Sequence, residues 1–252
     1  MSGDRTAGSG DGEGLAAWAR SRESAAFRSW PADAYERGNP RVLVRVAMIE
    51  TPPICVIASR ITDATAVSVG KGAACALLSG GIVQCWGDDT AGELGNGASS
   101  STSDGGTPWS ATPVTVIDLT SAAAISVGEL SACALLSEGA VRCWGDNTYG
   151  ELGAGTTKGP DTYCSATSID GGCGLSGSCS VAPITVKGIT NATALSVGSG
   201  SVCALLSGGI VQCWGFNGTG ALGNGTPGGP ETCSTGLFDV PCSTTPTPVG
   251  MR

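Results

Sequence analysis

The chain is 252 residues long, with 41 glycines, 13% charged residues and a formal net charge of −8. Sparse charge, few aromatics and abundant glycine favour tight turns and buried strands over helices. Twelve cysteines and no histidine exclude an ordinary cytosolic protein, a Ser/His/Asp or Cys/His catalytic set and the commonest zinc ligands. No two cysteines are spaced Cys-x-x-Cys, so disulfides are expected, and no metal or cofactor is. Residues 61–252 hold five Lys or Arg against fourteen acids. Nucleic acid is a poor partner for that surface, because phosphate binding needs clustered cations.

Residues 1–53 form an N-terminal segment unlike the rest. Met1–Gly14 is rich in Gly, Ser and Asp and reads as a flexible tail. Leu15–Trp30 has weak helical spacing and ends before Pro31. The apolar patch Val42–Ile49 is interrupted by Arg45 and is too short to span a bilayer. It follows forty polar residues, so no ordinary signal peptide is visible.

From residue 54 to 252 the chain repeats. CALLSGGIVQCWG at Cys75–Gly87 returns as CALLSEGAVRCWG at Cys133–Gly145 and CALLSGGIVQCWG at Cys203–Gly215. Each copy reads as a β-hairpin, with the shared Gly81, Gly139 or Gly209 as the left-handed residue of a three-residue turn. Leu78 and Ile82 then close the turn as a hydrogen-bonded pair, and counting back sets Cys75 opposite Cys85 at a non-hydrogen-bonded site. The same count pairs Cys133 with Cys143 and Cys203 with Cys213. Cα atoms at such a site lie roughly 4.5 Å apart, within disulfide range; paired buried thiols are the alternative.

Each hairpin is preceded by a short strand ending in Ser-Val-Gly (residues 68–70, 126–128 and 196–198). A glycine loop follows it, at Asp88–Gly95, Asp146–Gly153 and Phe216–Gly223, and a Pro-led strand closes each unit at Pro113, Pro183 and Pro248. The units run about 61–119, 120–189 and 190–252, four strands each. Ile54–Ile57 reads as a stray closing strand of an earlier unit. Strands apolar on both faces bury them only by stacking, which is the logic of a propeller.

Long polar insertions separate the units at 96–112, 154–182 and 224–247. Two of them share Cys-x8-Cys, giving Cys164 with Cys173 and Cys233 with Cys242 as loop staples. Cys55 and Cys179 are left over, free or paired between molecules. Asp88, Asp89, Glu93, Asp146 and Glu151 cluster in the glycine loops, but Phe216 and Ala221 replace two of them in the third copy. No ligand set repeats, and these acids read as solvated turn residues. Trp86, Trp144 and Trp214 hold one packing slot per unit. Asn191, Asn217 and Asn224 each open a glycosylation triplet.

Taken together, Ser-Val-Gly, Cys-Ala-Leu-Leu-Ser-x-Gly-x-Val, Cys-Trp-Gly-Asp-Asn and Tyr-Gly-Glu-Leu-Gly resemble the repeats of the regulator of chromosome condensation family over about residues 54–252. The resemblance implies an all-β partial β-propeller: three four-stranded antiparallel blades plus the stray N-terminal strand, a slice of a seven-bladed ring. Family functions include nucleotide exchange on a small GTPase, chromatin docking and, in secreted relatives, β-lactamase inhibition. A fold with several functions fixes none. The cysteines imply an extracytoplasmic location, and blade-end loops without a catalytic motif imply a protein-binding or scaffold module without catalysis; a small-GTPase exchange factor and a secreted enzyme inhibitor are the alternatives. In the inhibiting relatives the contact rim includes the loops after Ser-Val-Gly and Cys-Trp-Gly. Here these hold Glu129, Leu130, Tyr149 and Phe216, and the insertions add Trp109 and Phe238. The expected partner is another protein, and open blade edges also permit self-association.

Overall fold

The chain divides into two units, Met1–Asn39 and Pro40–Arg252. The computed structural model describes residues 61–98, 108–161, 178–235 and 238–250, with the backbone of two short strands before them. Those two, β1 (Arg45–Val46) and β2 (Val56–Ile57), pair antiparallel. No helix occurs among the described residues.

The first blade is an antiparallel meander of β3 (Ala64–Val69), β4 (Ala73–Leu78), β5 (Val83–Asp88) and β6 (Trp109–Thr115). The second repeats it with β7 (Ala122–Val127), β8 (Ser131–Leu136), β9 (Val141–Asp146) and β10 (Cys179–Thr185). The third has five strands: β11 (Ala192–Val197), β12 (Ser201–Leu206), β13 (Val211–Phe216), β14 (Glu231–Ser234) and β15 (Asp239–Pro248), with β14 outermost. Part of the third insertion thus folds back as a strand instead of remaining a loop.

The central hairpins follow the turn arithmetic. The Leu78 amide donates to the Ile82 carbonyl at 2.8 Å, and Gly81 sits at φ 79°. Cys75 faces Cys85, Cys133 faces Cys143 and Cys203 faces Cys213. Each pair is a disulfide, with Cα atoms 4.0, 4.0 and 4.1 Å apart. Cys233 and Cys242 are also bridged, joining β14 to β15 diagonally across the ladder.

The closing strands depart from the expected count. Each begins before its proline, and a bulge lies where the strand crosses the tryptophan. Cys85, Cys143 and Cys213 face Val114, Ile184 and Thr247, so the equivalent prolines are Pro113, Pro183 and Pro246. A proline lacks the ladder donor, and a bulge is where that loss is tolerated. Pro248 is two residues further on, and the third closing strand is complete. The same register corrects a cysteine. Cys179 faces Asp146 as Cys242 faces Phe216, and Asp161 bridges Cys179 as Glu231 pairs with Cys242. Cys179 therefore takes the place of Cys242, and it is disulfide-bonded, not left over. Cys55, Cys164 and Cys173 lie outside the described residues.

Each blade has two apolar faces. One carries the disulfide with Leu77 and Val83, or Leu135 and Val141; the other carries the tryptophan with alternating alanines. The disulfide face of the first blade packs on Ala132, Ala134, Leu136 and Trp144 of the second. That of the second packs on Ala204, Leu206 and Trp214 of the third. Side chains this fully withdrawn from water contribute on the order of 1.5–3 kcal/mol each, so blade stacking makes the core.

Candidate functional site

The loops after Ser-Val-Gly and after Cys-Trp-Gly lie at one end of the blades. The Asp88 amide donates to Gly72, Asp146 to Leu130 and Phe216 to Gly200, at 2.8–2.9 Å. These bonds tie the two loops of each blade into one rim.

Each glycine loop is built on an Asx side chain. Oδ1 of Asp89, Asn147 and Asn217 accepts the amide of Leu94, Leu152 and Leu222, each at 3.0 Å. Nδ2 of Asn147 and Asn217 also donates across the loop to the Thr156 and Thr226 carbonyls. Asn217 is wholly buried, which removes it as a glycan acceptor.

Three of the five loop acids are not solvated. Asp89, Glu93 and Glu151 are buried. Glu93 accepts the Ala91 amide, and Glu151 the Tyr149 amide, both at 2.8 Å. The backbone carbonyls of the same glutamates hold the next blade: Trp144 Nε1 donates to Glu93 at 2.8 Å and Trp214 Nε1 to Glu151 at 2.7 Å. Burial disfavours a charged carboxylate. Burial, with the nearby Asp88 charge, holds Glu93 well above the usual range. Asp89 is pushed up to about 6, mainly by burial. Glu151, raised well above its usual range by burial and the Asp146 charge, is hydrogen-bonded to Asp146, itself pushed up to about 6 by burial.

The predicted contact residues come together only in part. Tyr149 and Phe216 meet across the second and third blades, ring centroids 5.2 Å apart. Tyr149 also lies within the field of Glu151, Asp146 and Glu129, and burial with those charges raises its phenol. Glu129 links all three blades on this rim. It pairs with Lys71 of the first at 2.7 Å and accepts a hydrogen bond from Ser199 of the third. Those bonds lower its pKa, Lys71 most. Leu130, beside it, is exposed. Trp109, opposite Asp88 in the ladder, reaches the rim of the first blade and is 54% exposed. Phe238 lies in the turn between β14 and β15 and is exposed.

The buried acids were the residues that sequence reasoning misplaced. One signal pointed to them: an Asx five residues before a leucine recurs in every loop, although the acids around it do not. Among the described residues no cluster suited to a metal occurs and no helix is long and apolar enough to cross a membrane.

Residues 122–151, from β7 to the second glycine loop, match the family model for the regulator of chromosome condensation (RCC1) repeat. Yeast RCC1 (Prp20), in a crystal structure with Kap60, aligns over 75% of this chain and 37% of its own, at 20% identity and a TM-score of 0.57. Prp20p from Saccharomyces cerevisiae, described with its binding properties to Gsp1p and histones, aligns over 75% and 39%, at 21% identity and 0.57. Human WBSCR16 aligns over 75% and 39%, at 17% identity and 0.50. The chain spans well under half the length of these proteins, and at such identities the likeness is one of fold. It carries RCC1-like repeats, folded as blades of an RCC1-type β-propeller.

Proposed function

We propose that this chain is an extracytoplasmic protein-binding or scaffold module that uses its loop rim as the contact surface and catalyses nothing. The observation that carries the reading is the cross-blade clamping of that rim, in which Glu129 bonds to Lys71 and Ser199 and Tyr149 meets Phe216. Residues ordered before docking lose less entropy on binding. Exposed aromatics such as Trp109 and Phe238 are the side chains that most often anchor interfaces. The location rests on the disulfides, which persist in oxidising compartments. Yeast RCC1 with Kap60, and Prp20p with Gsp1p and histones, support protein as the class of partner. Nucleotide exchange on a small GTPase requires a reducing compartment, which a stapled chain opposes.

The test is capture of partners from surrounding extracellular proteins, then substitution of Tyr149, Phe216 and Trp109 by alanine, with near-ultraviolet circular dichroism as a fold control. A folded triple variant should bind the recovered partner at least tenfold more weakly. Unchanged affinity breaks the rim assignment. Faster nucleotide release from a small GTPase breaks the functional reading, and alkylation of six or more cysteines in non-reduced protein breaks the location.

A further inference from the structure

Equivalent positions of the three blades meet along the rim. The residue after Ser-Val-Gly is Lys71, Glu129 and Ser199 in turn, and the next is Gly72, Leu130 and Gly200. The Lys71 amide donates to the Gly128 carbonyl at 3.3 Å and the Glu129 amide to that of Gly198 at 3.4 Å. The glycine loops hold Ala91, Tyr149 and Thr219 at one matching place. Tyr149 leans over the third blade, where a Cβ on Gly200 would touch its ring edge and the Phe216 Cβ, each at 3.4 Å. A Cβ on Gly218 would come within 2.4 Å of the Phe216 ring. Glycine at both places lets the two rings lie against backbone, and each keeps part of its surface open to water.

The charge around this pair is one-sided. Glu129, Asp146 and Glu151 all act on the Tyr149 phenol. Asp146 and Glu151 bond to Thr148, to the Tyr149 amide and to each other. Lys71, on Glu129, is the only cation paired with any of the three among the described residues. Arg142 donates instead to the Asp118 carbonyl, between β6 and β7 at the opposite end of the blades. Three carboxyls and one lysine leave an acidic excess beside two partly open rings. Leu130, next to Glu129, adds apolar surface that is 38% exposed.

We propose that Tyr149, Phe216, Leu130 and Glu129 form a subsite for an arginine side chain, presented by a basic segment of the partner protein. The assignment rests on the rim reading above and adds to it the chemistry of the partner. Charge complementarity identifies the occupant. A purely apolar partner would cover the excess charge without a counter-ion, which is costly. An aromatic face attracts a cation placed within about 6 Å of its centre. Arginine is favoured over lysine because its planar head stacks on rings and forks onto a carboxylate, while its stem covers apolar surface such as Leu130.

The test titrates two fluorescent peptides against the full chain by anisotropy, one alternating glycine with arginine and the other glycine with citrulline. Salt is held at about 0.15 M, where exposed charges more than about 8 Å apart are largely screened. Citrulline keeps the size of arginine without its charge, and its peptide should bind at least tenfold more weakly. Glu129→Gln should weaken the arginine peptide at least fivefold. Glu138→Gln, an equal loss of charge in the exposed turn between β8 and β9 at the opposite end, should leave it within twofold. Lys71→Gln should tighten it, because Glu129 then lacks its internal counter-ion, and a merely loosened rim cannot gain affinity. Failure of the arginine peptide to bind, equal affinity for the two peptides, or equal losses in Glu129→Gln and Glu138→Gln each overturn the inference. So does a captured protein partner that the triple alanine variant loses and Glu129→Gln retains, an outcome that leaves the rim reading in place.

Discussion

The second and third blades carry almost the same hairpin and meet different surroundings. Cys133 and Cys143 are wholly buried between two neighbours, whereas Cys203, in the same slot of the third blade, is only half-buried. The disulfide, the turn and the register are unchanged between them. The hairpin is therefore specified locally, by turn glycine and cross-strand cysteines. The rest of the motif, Ser-Val-Gly and Leu-Gly, encodes contact with a neighbour and is spent only where one is present.

The largest effect that separates the two blades is at the glycine of Ser-Val-Gly. A Cβ on Gly128 would overlap the carbonyl oxygen of Gly198, backbone against backbone with nothing flexible to yield. On Gly198 the nearest atom is the Ser201 oxygen at 3.4 Å, an ordinary contact. Gly128→Ala should cost about 3 kcal/mol or more, as overpacking of a closed junction does. Gly198→Ala should stay within about 0.5 kcal/mol of the parent, as at an unstrained exposed site. Urea unfolding of the two variants measures both, and equal losses would mean the third blade is not open on that side.

The glycine loops differ in charge. The second blade buries Asp146 and Glu151 where the third has Phe216 and Ala221. A buried acid whose pKa is raised by folding penalises the folded state once the unfolded chain ionises. Stability is then highest below the unfolded carboxylate value, falls as pH climbs, and levels above the folded value, near 6 for Asp146. The protein should be more stable at pH 5 than at pH 8, with protection lost in β8 and β9 before β12 and β13. Glu151→Gln keeps an acceptor for the Tyr149 amide and a permanent donor for Asp146. It should recover stability at pH 8 and far less at pH 5, where the carboxyl it replaces keeps its proton. Asp89→Asn, the residue type the other two loops use, should act in the same direction. A pH-independent melt would show that these acids reach water.

What could be read beforehand follows the same division. Cys75 opposite Cys85 was legible because one turn and a period of two fix a hairpin register. Pro248 was matched to Pro113 because counting fails across the bulge in each closing strand, which leaves extra residues unpaired. Cys179 was misplaced for the same reason, since its register is set by β9 across an insertion of different length. The burial of Glu93 was hidden because it depends on Trp144 of another blade. Tyr149 against Phe216 is likewise a fact about two adjacent blades, and neither residue's local sequence announces it.

The first blade mirrors the third, and its tryptophan gives the smallest and sharpest contrast. Trp86 is buried, yet among the described residues its Nε1 is a buried side-chain donor without a hydrogen-bond partner. Trp144 occupies the equivalent slot and donates to the Glu93 carbonyl at 2.8 Å. Phenylalanine at either position removes the same ring volume, so the packing losses largely cancel in the comparison. What differs is one hydrogen bond. Trp144→Phe gives up a net contribution of about 1 kcal/mol and strands a buried carbonyl. Trp86→Phe gives up no bond and relieves an unmet donor, which itself costs about 1–3 kcal/mol when buried. Trp144→Phe should therefore unfold at lower urea than Trp86→Phe, by at least the roughly 1 kcal/mol of the hydrogen bond alone. Equal midpoints would mean that Trp86 finds an acceptor in solution, and that its slot is filled as the other two are.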